Sequence, residues 1–407
     1  MKQRGKGYEL ALLVVLTLAN GVVAFDRLAA TFLSPYIVAD LKLDNAQLGL
    51  LAGALSGAVA ITAFLGGQLA DRTGKRKLLL VACTLVFSLG SAAGGFAIGF
   101  ASLFAARFLL GLAEGPMVPV SQTVMMDTST PERRGFNMGV MQMAGAFLLG
   151  AMAGPIVATQ VADSLGWRAA FFISAVPGVI LALIMMALVK PDRPVDHAAG
   201  EAPPSLLGAL GQLLAIRNMR VALGVAALFT AWLVLQNVFL PLHLTNDLAL
   251  PGPTMGKVLS MGGIAGVIGG ALLPLLSDRI GRKPVVIGAC LAGLLAPAAM
   301  LTLPPDSFLL GAAILLGWLP LGIAPLYCAT IPTESVPPAL ATSAVGLAMG
   351  TAELLGGVVA PGIAGYAADA YGRGAVFVIC GGLALAAAAA ALMLKETAPR
   401  ALAKERT

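Results

Sequence analysis

Five ionisable side chains lie within long apolar stretches of the sequence: Asp26, Arg27, Arg107, Glu114 and Glu353. A charge near the centre of a bilayer costs at least about 2.5–3.5 kcal/mol on insertion scales, so such residues usually serve a function. A carboxyl group in a poorly solvated cavity can exchange its proton near neutral pH. Arginine, in contrast, stays charged and presents a planar fork that suits a carboxylate. These residue types predict proton transfer combined with the binding of an anion.

Two of the charges share one face of a helix. Arg107, Gly111, Glu114 and Ser121 follow the spacing i, i+4, i+7 and i+14, which lines one side of an α-helix. A carboxyl group beside a permanent cation is the smallest arrangement that can couple a proton to another charge. The alternative is a static ion network that ties this helix to the one carrying Asp26, although well-packed apolar residues often stabilise a protein as much.

Asp26 and Arg27 are neighbours in the chain, and adjacent side chains on a helix point about 100° apart. They can therefore serve different partners. We expect Arg27 to hold the substrate anion, and Asp26 to face the charges of the other helix and to change protonation during transport. For Glu353 two alternatives stay open: a second proton site, or an acid beside a water-filled path.

Uncharged polar residues also occur within the apolar stretches and need hydrogen-bond partners there. A ligand could supply these partners, and so could neighbouring helices. The candidates for substrate contact, besides Arg27, are Asn20, Gln142, Gln236, Asn237 and Tyr327. Trp232 and Trp318 are predicted to pack within the protein rather than to stack on a ligand.

The elements that carry these residues are predicted to be membrane helices. The chain of 407 residues is 58% hydrophobic and 11% charged, with a mean hydropathy of +0.90, which excludes an ordinary water-soluble protein. Twelve stretches reach the length of about 20 residues that a span requires. They cover residues 9–36, 46–70, 78–98, 103–126, 136–161, 167–189, 221–244, 254–276, 284–303, 307–330, 342–367 and 374–394. The predicted fold is an all-α polytopic membrane protein with twelve transmembrane helices in two six-helix halves.

The placement of the basic residues behind the net charge of +6 indicates membrane topology rather than a nucleic-acid partner. Of the 26 Lys and Arg residues, 20 lie in the N-terminal segment, in the loops after predicted helices 2, 4, 6 and 8, or in the C-terminal segment. These segments share one side of the membrane, which the positive-inside rule makes cytoplasmic. We expect an integral protein of a bacterial inner membrane with both termini in the cytoplasm.

The sequence is duplicated at an offset of 207 residues. This offset carries Asp71, in the stretch DRTGKRK, onto Asp278, in the stretch DRIGRK, and it carries Gly49 onto Gly256. The predicted domains are an N-terminal six-helix half at 1–189, a cytoplasmic linker ending in a surface helix at 190–217, and a C-terminal six-helix half at 218–407.

Six plus six helices with a basic loop at matching places resemble the major facilitator superfamily over nearly the whole chain. The stretch GQLADRTGKRK, residues 67–77, is similar to the signature loop of that family, and DRIGRK, residues 278–283, repeats it. We expect the charges of this loop to pair with helix ends and to separate when that face opens. The alternative is that the basic residues only set topology. The expected gating residues are Gly67, Asp71, Arg72, Gly74, Arg76, Asp278, Arg279, Gly281 and Arg282.

Three motifs carry a narrower resemblance. FDR in helix 1, ARFLLGLAEGPMVP in helix 4 and GWRAAFF at helix 6 look like the anion:cation symporter family, which includes hexuronate, galactonate and phthalate permeases and sialin-type carriers. The resemblance implies that Arg27 binds the substrate carboxylate and that Asp26 and Glu114 carry protons. Arg107 matches the helix 4 arginine of that family and joins the proton-coupling set. Val59 stands where the family often has a substrate-contacting tyrosine, so a more apolar anion than a sugar acid becomes plausible.

Other functions are also considered. GAMAGP, residues 150–155, partly matches a helix 5 motif of drug/proton antiporters, and Spinster-type lipid exporters share the charged pattern of helices 1 and 4. An intramembrane enzyme would need a nucleophile with a base, or metal ligands. The two histidines do not suggest such a site, because His197 lies in the linker and His243 at the outer end of helix 7, and no nucleotide-binding motif occurs. We therefore expect no enzyme, no catalytic residue and no metal site.

The expected function is secondary active transport by alternating access, as proton-coupled symport of a small organic anion. A proton-coupled drug or lipid exporter is the alternative. The proton gradient drives either process without a cofactor. The expected partners are the anion, protons and the lipid bilayer, and the protein is expected to be a monomer.

Overall fold

The computed structural model describes residues 6–73, 75–130, 133, 137, 140–190, 206–337 and 340–398. Its described part is helical, with no strand, and twelve helices are long and apolar enough to cross a membrane, as predicted. We number these spanning helices α1 to α12.

Helices α1 to α4 are Lys6–Phe32, Asn45–Thr73, Arg76–Gly95 and Phe100–Thr128. Helix α5 consists of Met141–Ala153 continued by Gly154–Leu165, and α6 is Trp167–Leu188. Helices α7 to α9 are Arg217–Leu242 continued by His243–Asp247, Gly252–Ile280, and Arg282–Ala292 followed by Leu295–Thr302. Helix α10 consists of Ser307–Trp318, Leu319–Ile323, Leu326–Thr330 and Ile331–Ser335. Helix α11 consists of Ala341–Thr351, Ala352–Val359 and Ala360–Tyr371, and α12 is Gly374–Leu392.

The first helix ends earlier than the sequence predicts. Helix α1 stops at Phe32, and a separate short helix, Ser34–Leu41, begins after a turn at Leu33. Pro35 accounts for the break, because proline has no N–H to donate within a helix and suits the first turn of a new one.

Helices α1 and α5 pack backbone against backbone. The first part of α5, Met141–Ala153, is π-helical, with the wider i→i+5 bonding of that form. A Cβ atom at Gly145 would lie 2.8 Å from the Thr17 carbonyl oxygen, and one at Gly150 would lie 2.5 Å from the Ala24 Cβ. These two glycines leave no room for a side chain, and they hold α1 in direct contact with α5 beside the charged pair of α1.

The chain divides into two compact units. Unit 1 comprises residues 1–43, 54–197 and 251–263, and unit 2 comprises residues 44–53, 198–250 and 264–407. The division follows packing rather than chain order, because the first turns of α2 group with unit 2 and those of α8 group with unit 1.

The sequence duplication is reflected in a similar close glycine contact within each unit. Within unit 2, a Cβ atom at Gly49 would lie 2.2 Å from the carbonyl oxygen of Pro361. Within unit 1, a Cβ atom at Gly256 would lie 2.7 Å from the carbonyl oxygen of Pro155. Two glycines that are 207 residues apart therefore make the same close helix contact.

A ten-residue helix, Leu206–Ala215, precedes α7, where the sequence predicts a surface helix. Its Leu213 is buried against Met219, Leu223 and Leu340 of unit 2. Residues 191–205 of the predicted linker lie outside the described part of the chain.

Candidate functional site

The buried cation of the site is Arg107 on α4. Its side chain is almost wholly buried, and its guanidinium donates to the main-chain oxygen of Asp26 at 3.0 Å and to that of Arg27 at 2.7 Å. A carbonyl oxygen has two lone pairs, so it can accept such a bond in addition to its helical one. Arg107 therefore fixes the main chain of α1 against α4 at the charged pair.

Arg27 and Glu114 form an ion pair between the same two helices. The Arg27 Nη1 atom lies 2.9 Å from the Glu114 Oε1 atom. The Arg27 side chain is 32% exposed, whereas that of Glu114 is only 3% exposed. Glu114 lies two helical turns beyond Arg107, as the spacing predicts, and both side chains of this stripe reach α1. Arg27 is the more exposed member of this pair.

Asp26 is held by hydroxyl groups of two other helices. The residue is fully buried, and its Oδ1 atom accepts hydrogen bonds from Ser91 of α3 at 2.7 Å and from Ser174 of α6 at 3.1 Å. Arg107 of α4 binds the main-chain oxygen of Asp26. The rotation of about 100° from Arg27 places the carboxylate where α3 and α6 supply hydroxyl donors. The expectation that Asp26 faces the helix 4 charges stays a prediction.

One oxygen of Asp26 has no hydrogen-bond partner among the described residues. Its Oδ2 atom is buried and accepts no hydrogen bond from any described residue. An ionised oxygen in such surroundings is costly, whereas a bound proton or a ligand group removes that cost. Ser91 and Ser174 were not among the residues singled out from the sequence, because serines inside apolar helices are common and nothing in their spacing points to Asp26.

Asn20 is the uncharged candidate closest in the chain to this site. It lies seven residues before Arg27 on α1, is buried, and its Nδ2 atom has no hydrogen-bond partner among the described residues. The prediction that it contacts substrate stays a prediction. The side chain of Gln142 lies outside the described part.

The uncharged candidates of unit 2 have partners within the protein. Gln236 is wholly buried, donates to the main chain of Trp232 and accepts from the Trp318 indole at 3.1 Å. Asn237 donates to a carbonyl of its own helix at 3.0 Å, and the Tyr327 hydroxyl lies 3.5 Å from that of a threonine on α7. Gln236 thus bonds to a neighbouring helix, which was the alternative to contact with a ligand.

The two tryptophans take structural positions, as predicted. Trp232 is fully buried, stacks on Phe229 with a centroid separation of 4.7 Å, and donates to the carbonyl oxygen of Gly293 at 2.9 Å. Trp318 bonds to Gln236.

Glu353 lies half-buried in the π-helical segment Ala352–Val359 of α11, and its role stays a prediction.

The first copy of the predicted gating motif cannot be described in full. Gly67, Asp71 and Arg72 belong to the helical end of α2, but the side chains of residues 63–73 lie outside the described part, as does Gly74. Arg76 is described and begins α3.

The second copy forms an ion network at one end of unit 2. Arg282 is largely buried and donates to Asp278, to Ser277 at 2.7 Å and to Glu334 of α10 at 3.0 Å. Gly281 has a φ of +111°, a conformation that favours glycine at the turn. Arg279 lies exposed at the end of α8. The predicted pairing of this loop with a neighbouring helix end is present in this copy.

A glutamate beyond α12 adds to this network. Burial raises the pKa of Glu396, but four backbone N–H donors, among them those of Arg282 and Lys283, outweigh burial and lower the pKa below its ordinary value. Glu396 thereby caps the start of α9. No sequence pattern predicts this contact, since it joins segments more than 110 residues apart.

Comparison with known proteins agrees with this architecture. A family model described as Major Facilitator Superfamily matches residues 16–361 and 234–407. The hexuronate transporter of Bacillus subtilis is 31% identical over 68% of this chain and 66% of its own length. A probable sulfoacetate transporter of Cupriavidus necator is 28% identical over 97% of this chain and 95% of its own length. A solved structure of a mutant of the nucleoside transporter NupG covers 95% of this chain and 100% of its own, with a TM-score of 0.80 and 20% identity.

These relatives are transporters rather than enzymes, and the solved structure shows the same fold. With its twelve spanning helices the protein is an integral membrane protein and a secondary transporter. The chain belongs to the major facilitator superfamily, and its relatives agree with a transporter of the anion:cation symporter type.

Proposed function

We propose that the protein is a proton-coupled symporter of a small organic anion, with Arg27 as the binding group for the anion and Glu114 and Asp26 as the proton carriers. The observation that carries this proposal is the pair of Arg27 and Glu114, in which a partly exposed cation is held by a nearly buried acid. The names of two relatives, a hexuronate and a probable sulfoacetate transporter, support an anionic substrate.

The coupling follows from competition for one guanidinium. A substrate carboxylate and the Glu114 carboxylate both seek the Arg27 fork, which is suited to a planar anion. A proton on Glu114 removes its charge and weakens its 2.9 Å contact with Arg27, so that the guanidinium can turn to the substrate. Proton and anion then favour each other's binding, and this coupling is reciprocal.

Asp26 and Arg107 have separate parts in this scheme. Arg107 holds the main chain of α1 and keeps its position while the side chains around it exchange partners. Asp26 accepts a second proton on the Oδ2 atom that lacks a partner among the described residues, while Ser91 and Ser174 keep hold of its Oδ1 atom.

The rest of the proposal concerns oligomeric state, cofactors and location in the membrane. The protein works as a monomer without a cofactor in a bacterial inner membrane, with both termini and the linker in the cytoplasm, as the distribution of Lys and Arg favours. Labelling of a cysteine placed at Gly200 by a membrane-impermeant reagent in intact cells would contradict this orientation.

Binding to Arg27 is tested with purified protein in proteoliposomes. Counterflow of a panel of radiolabelled carboxylates and sulfonates identifies a transported compound, and calorimetry then measures its binding to variants. Arg27→Ala should nearly abolish binding, and Arg27→Lys should weaken it strongly although the charge is kept, because an ammonium lacks the fork. Unchanged binding in Arg27→Ala, or transport of a compound with no anionic group, contradicts the proposal.

A further inference from the structure

An aspartate in the second half of the sequence caps a helix of the first half. Asp369, near the end of α11, accepts hydrogen bonds from the main-chain N–H groups of Asn45 at 3.1 Å and of Ala46 at 3.0 Å, which begin α2. Its Oδ1 atom also accepts from the Asn45 side chain at 2.7 Å. All three residues belong to unit 2. One exposed acid thus makes three bonds to the first turn of a helix more than 320 residues earlier in the chain.

The first turn of α2 also has a cap of its own. Asp44 precedes the helix and accepts from the Gln47 N–H at 2.6 Å, while the Asp44 N–H donates to the Gln47 side chain at 3.2 Å. The Leu48 N–H makes the first bond within the helix, to the Asp44 carbonyl oxygen. The N–H groups before it have no acceptor inside the helix. Asp44 serves the third of these groups, and Asp369 serves the first two.

The backbones of α2 and α11 approach closely beside this cap. A Cβ atom at Gly365, one turn before Asp369, would lie 2.5 Å from the Asn45 carbonyl oxygen and 2.7 Å from the Ala46 Cα atom. The contact of Gly49 with α11 lies one turn further along α2. The amino end of a helix carries partial positive charge, which favours a carboxylate there. Glycines thus allow the two helix ends to meet, and Asp369 adds a directed polar contact where they do.

The duplicated position in unit 1 cannot repeat this cap. The offset of 207 residues places Pro253, near the start of α8, where Ala46 stands, and proline has no N–H to donate. The residue before it, Gly252, replaces Asn45 and has no side-chain amide. The Tyr36 hydroxyl occupies the space in front of it, 1.8 Å from where a Cβ atom at Gly252 would lie. The polar cap is therefore separate from the close glycine packing that both units share.

We propose that Asp369 is a state-dependent helix cap, which holds the outer ends of α2 and α11 together in this conformation and releases them when they separate. The outer side is the one opposite the basic loops. This inference rests on the alternating access of the proposed function, in which such ends part and rejoin. Release costs little, because Asp44 keeps its bond to Gln47 and water can serve the two freed N–H groups. Asp369 therefore shifts the balance between two conformations without fixing either.

The distance between the two helix ends in the full chain tests this proposal. Nitroxides are attached at the exposed positions 50 and 366, as Leu50→Cys and Tyr366→Cys, after the 4 native cysteines are replaced by alanine. Double electron–electron resonance in nanodiscs then gives the ratio of separated to adjoining ends. Asp369→Ala should raise this ratio about threefold or more, the effect that loss of a helix cap has on an equilibrium. Asn45→Ala keeps both main-chain N–H groups and should raise it less.

Asp306→Ala is the matched control. Asp306 is also exposed and accepts from two N–H groups, those of Phe308 and Leu309 at 2.9 Å, but it caps the helix that directly follows it. Its removal should leave the distance distribution unchanged. Gly49→Val, at a position where a Cβ atom would meet a backbone oxygen at 2.2 Å, should lengthen the distance and shows that separation is detected. An unchanged distribution in Asp369→Ala, or an equal change in Asp306→Ala, overturns the proposal.

A second variant keeps the size of the side chain. Asp369→Asn has one acceptor oxygen instead of two, so at least one of the main-chain bonds should be lost and the ratio should again rise. A ratio equal to that of the parent in this variant as well as in Asp369→Ala contradicts the inference. The samples contain neither substrate nor a pH gradient. Failure of the anion-binding role of Arg27 would therefore leave this result intact, and the two proposals fail separately.

Discussion

The contact between Arg107 and α1 can be tested by a change that keeps the charge. Arg107→Lys replaces a fork that reaches two consecutive main-chain oxygens, at 3.0 and 2.7 Å, by a single ammonium on a shorter stem. One of the two bonds should be lost. A hydrogen bond to a charged group contributes about 1.5–3 kcal/mol, so the free energy of unfolding should fall by about that amount and the midpoint of thermal unfolding should drop.

The four cysteines make this measurement convenient. Cys83, Cys290 and Cys380 are buried free thiols, so a thiol-reactive fluorophore reports unfolding as they become exposed. The matched control is Arg168→Lys, whose guanidinium reaches one main-chain oxygen, that of Ala97 at 3.1 Å, besides its exposed pair with Asp40. Because this side chain is exposed, the midpoint should change much less than in Arg107→Lys. An unchanged midpoint in Arg107→Lys, or an equal drop in Arg168→Lys, would refute the assigned role of Arg107.

Two further predictions concern other contacts. Replacing Ser91 and Ser174 together by alanine removes both hydroxyl donors to Asp26 and should slow uptake at least about tenfold, since a bond to a charged group corresponds to roughly that factor or more. Ser88→Ala, whose hydroxyl donates to the main-chain oxygen of Thr84 in its own helix, is the control, and equal rates in both variants would reject the prediction. Glu396→Gln should lower the unfolding midpoint at pH 7, because the lowered pKa of Glu396 means that its ionised form stabilises the fold. That difference should shrink as the pH falls below the ordinary glutamate value of about 4.3 and through the lowered one, and a constant difference from pH 7 downwards would contradict it.

The twelve helices could be predicted because a bilayer imposes both length and apolar composition on each span. It could also be predicted that Arg107 and Glu114 share one helix face, since helical geometry puts residues seven apart on the same side. In the structure both side chains of this face reach α1. Pro35 explains the break at Leu33, but the predicted span missed this break because the apolar pattern continues across the proline. Local periodicity was thus sufficient for the number of spans and the facing of this stripe, but not for the end of the first helix.

Other features depend on neighbours that no single stretch of sequence identifies. The direction of the Asp26 carboxylate is decided by Ser91 and Ser174, which lie 65 and 148 residues further along the chain. Gln236 has its partner on α10, in Trp318, and its amide alone could not distinguish that partner from a ligand. The His243 ring likewise meets the main-chain oxygen of Met300, 57 residues away. Such contacts require the packing of the helices to be known.

The central claim is that Glu114 exchanges a proton while Arg27 holds the anion, and one measurement addresses it most directly. Proteoliposomes containing the wild type or Glu114→Gln are loaded with a transported anion and assayed both for exchange and for accumulation driven by an imposed pH gradient. The amide mimics the protonated acid, so Glu114→Gln should retain exchange but fail to accumulate the anion. Normal accumulation by Glu114→Gln against the pH gradient would contradict the account.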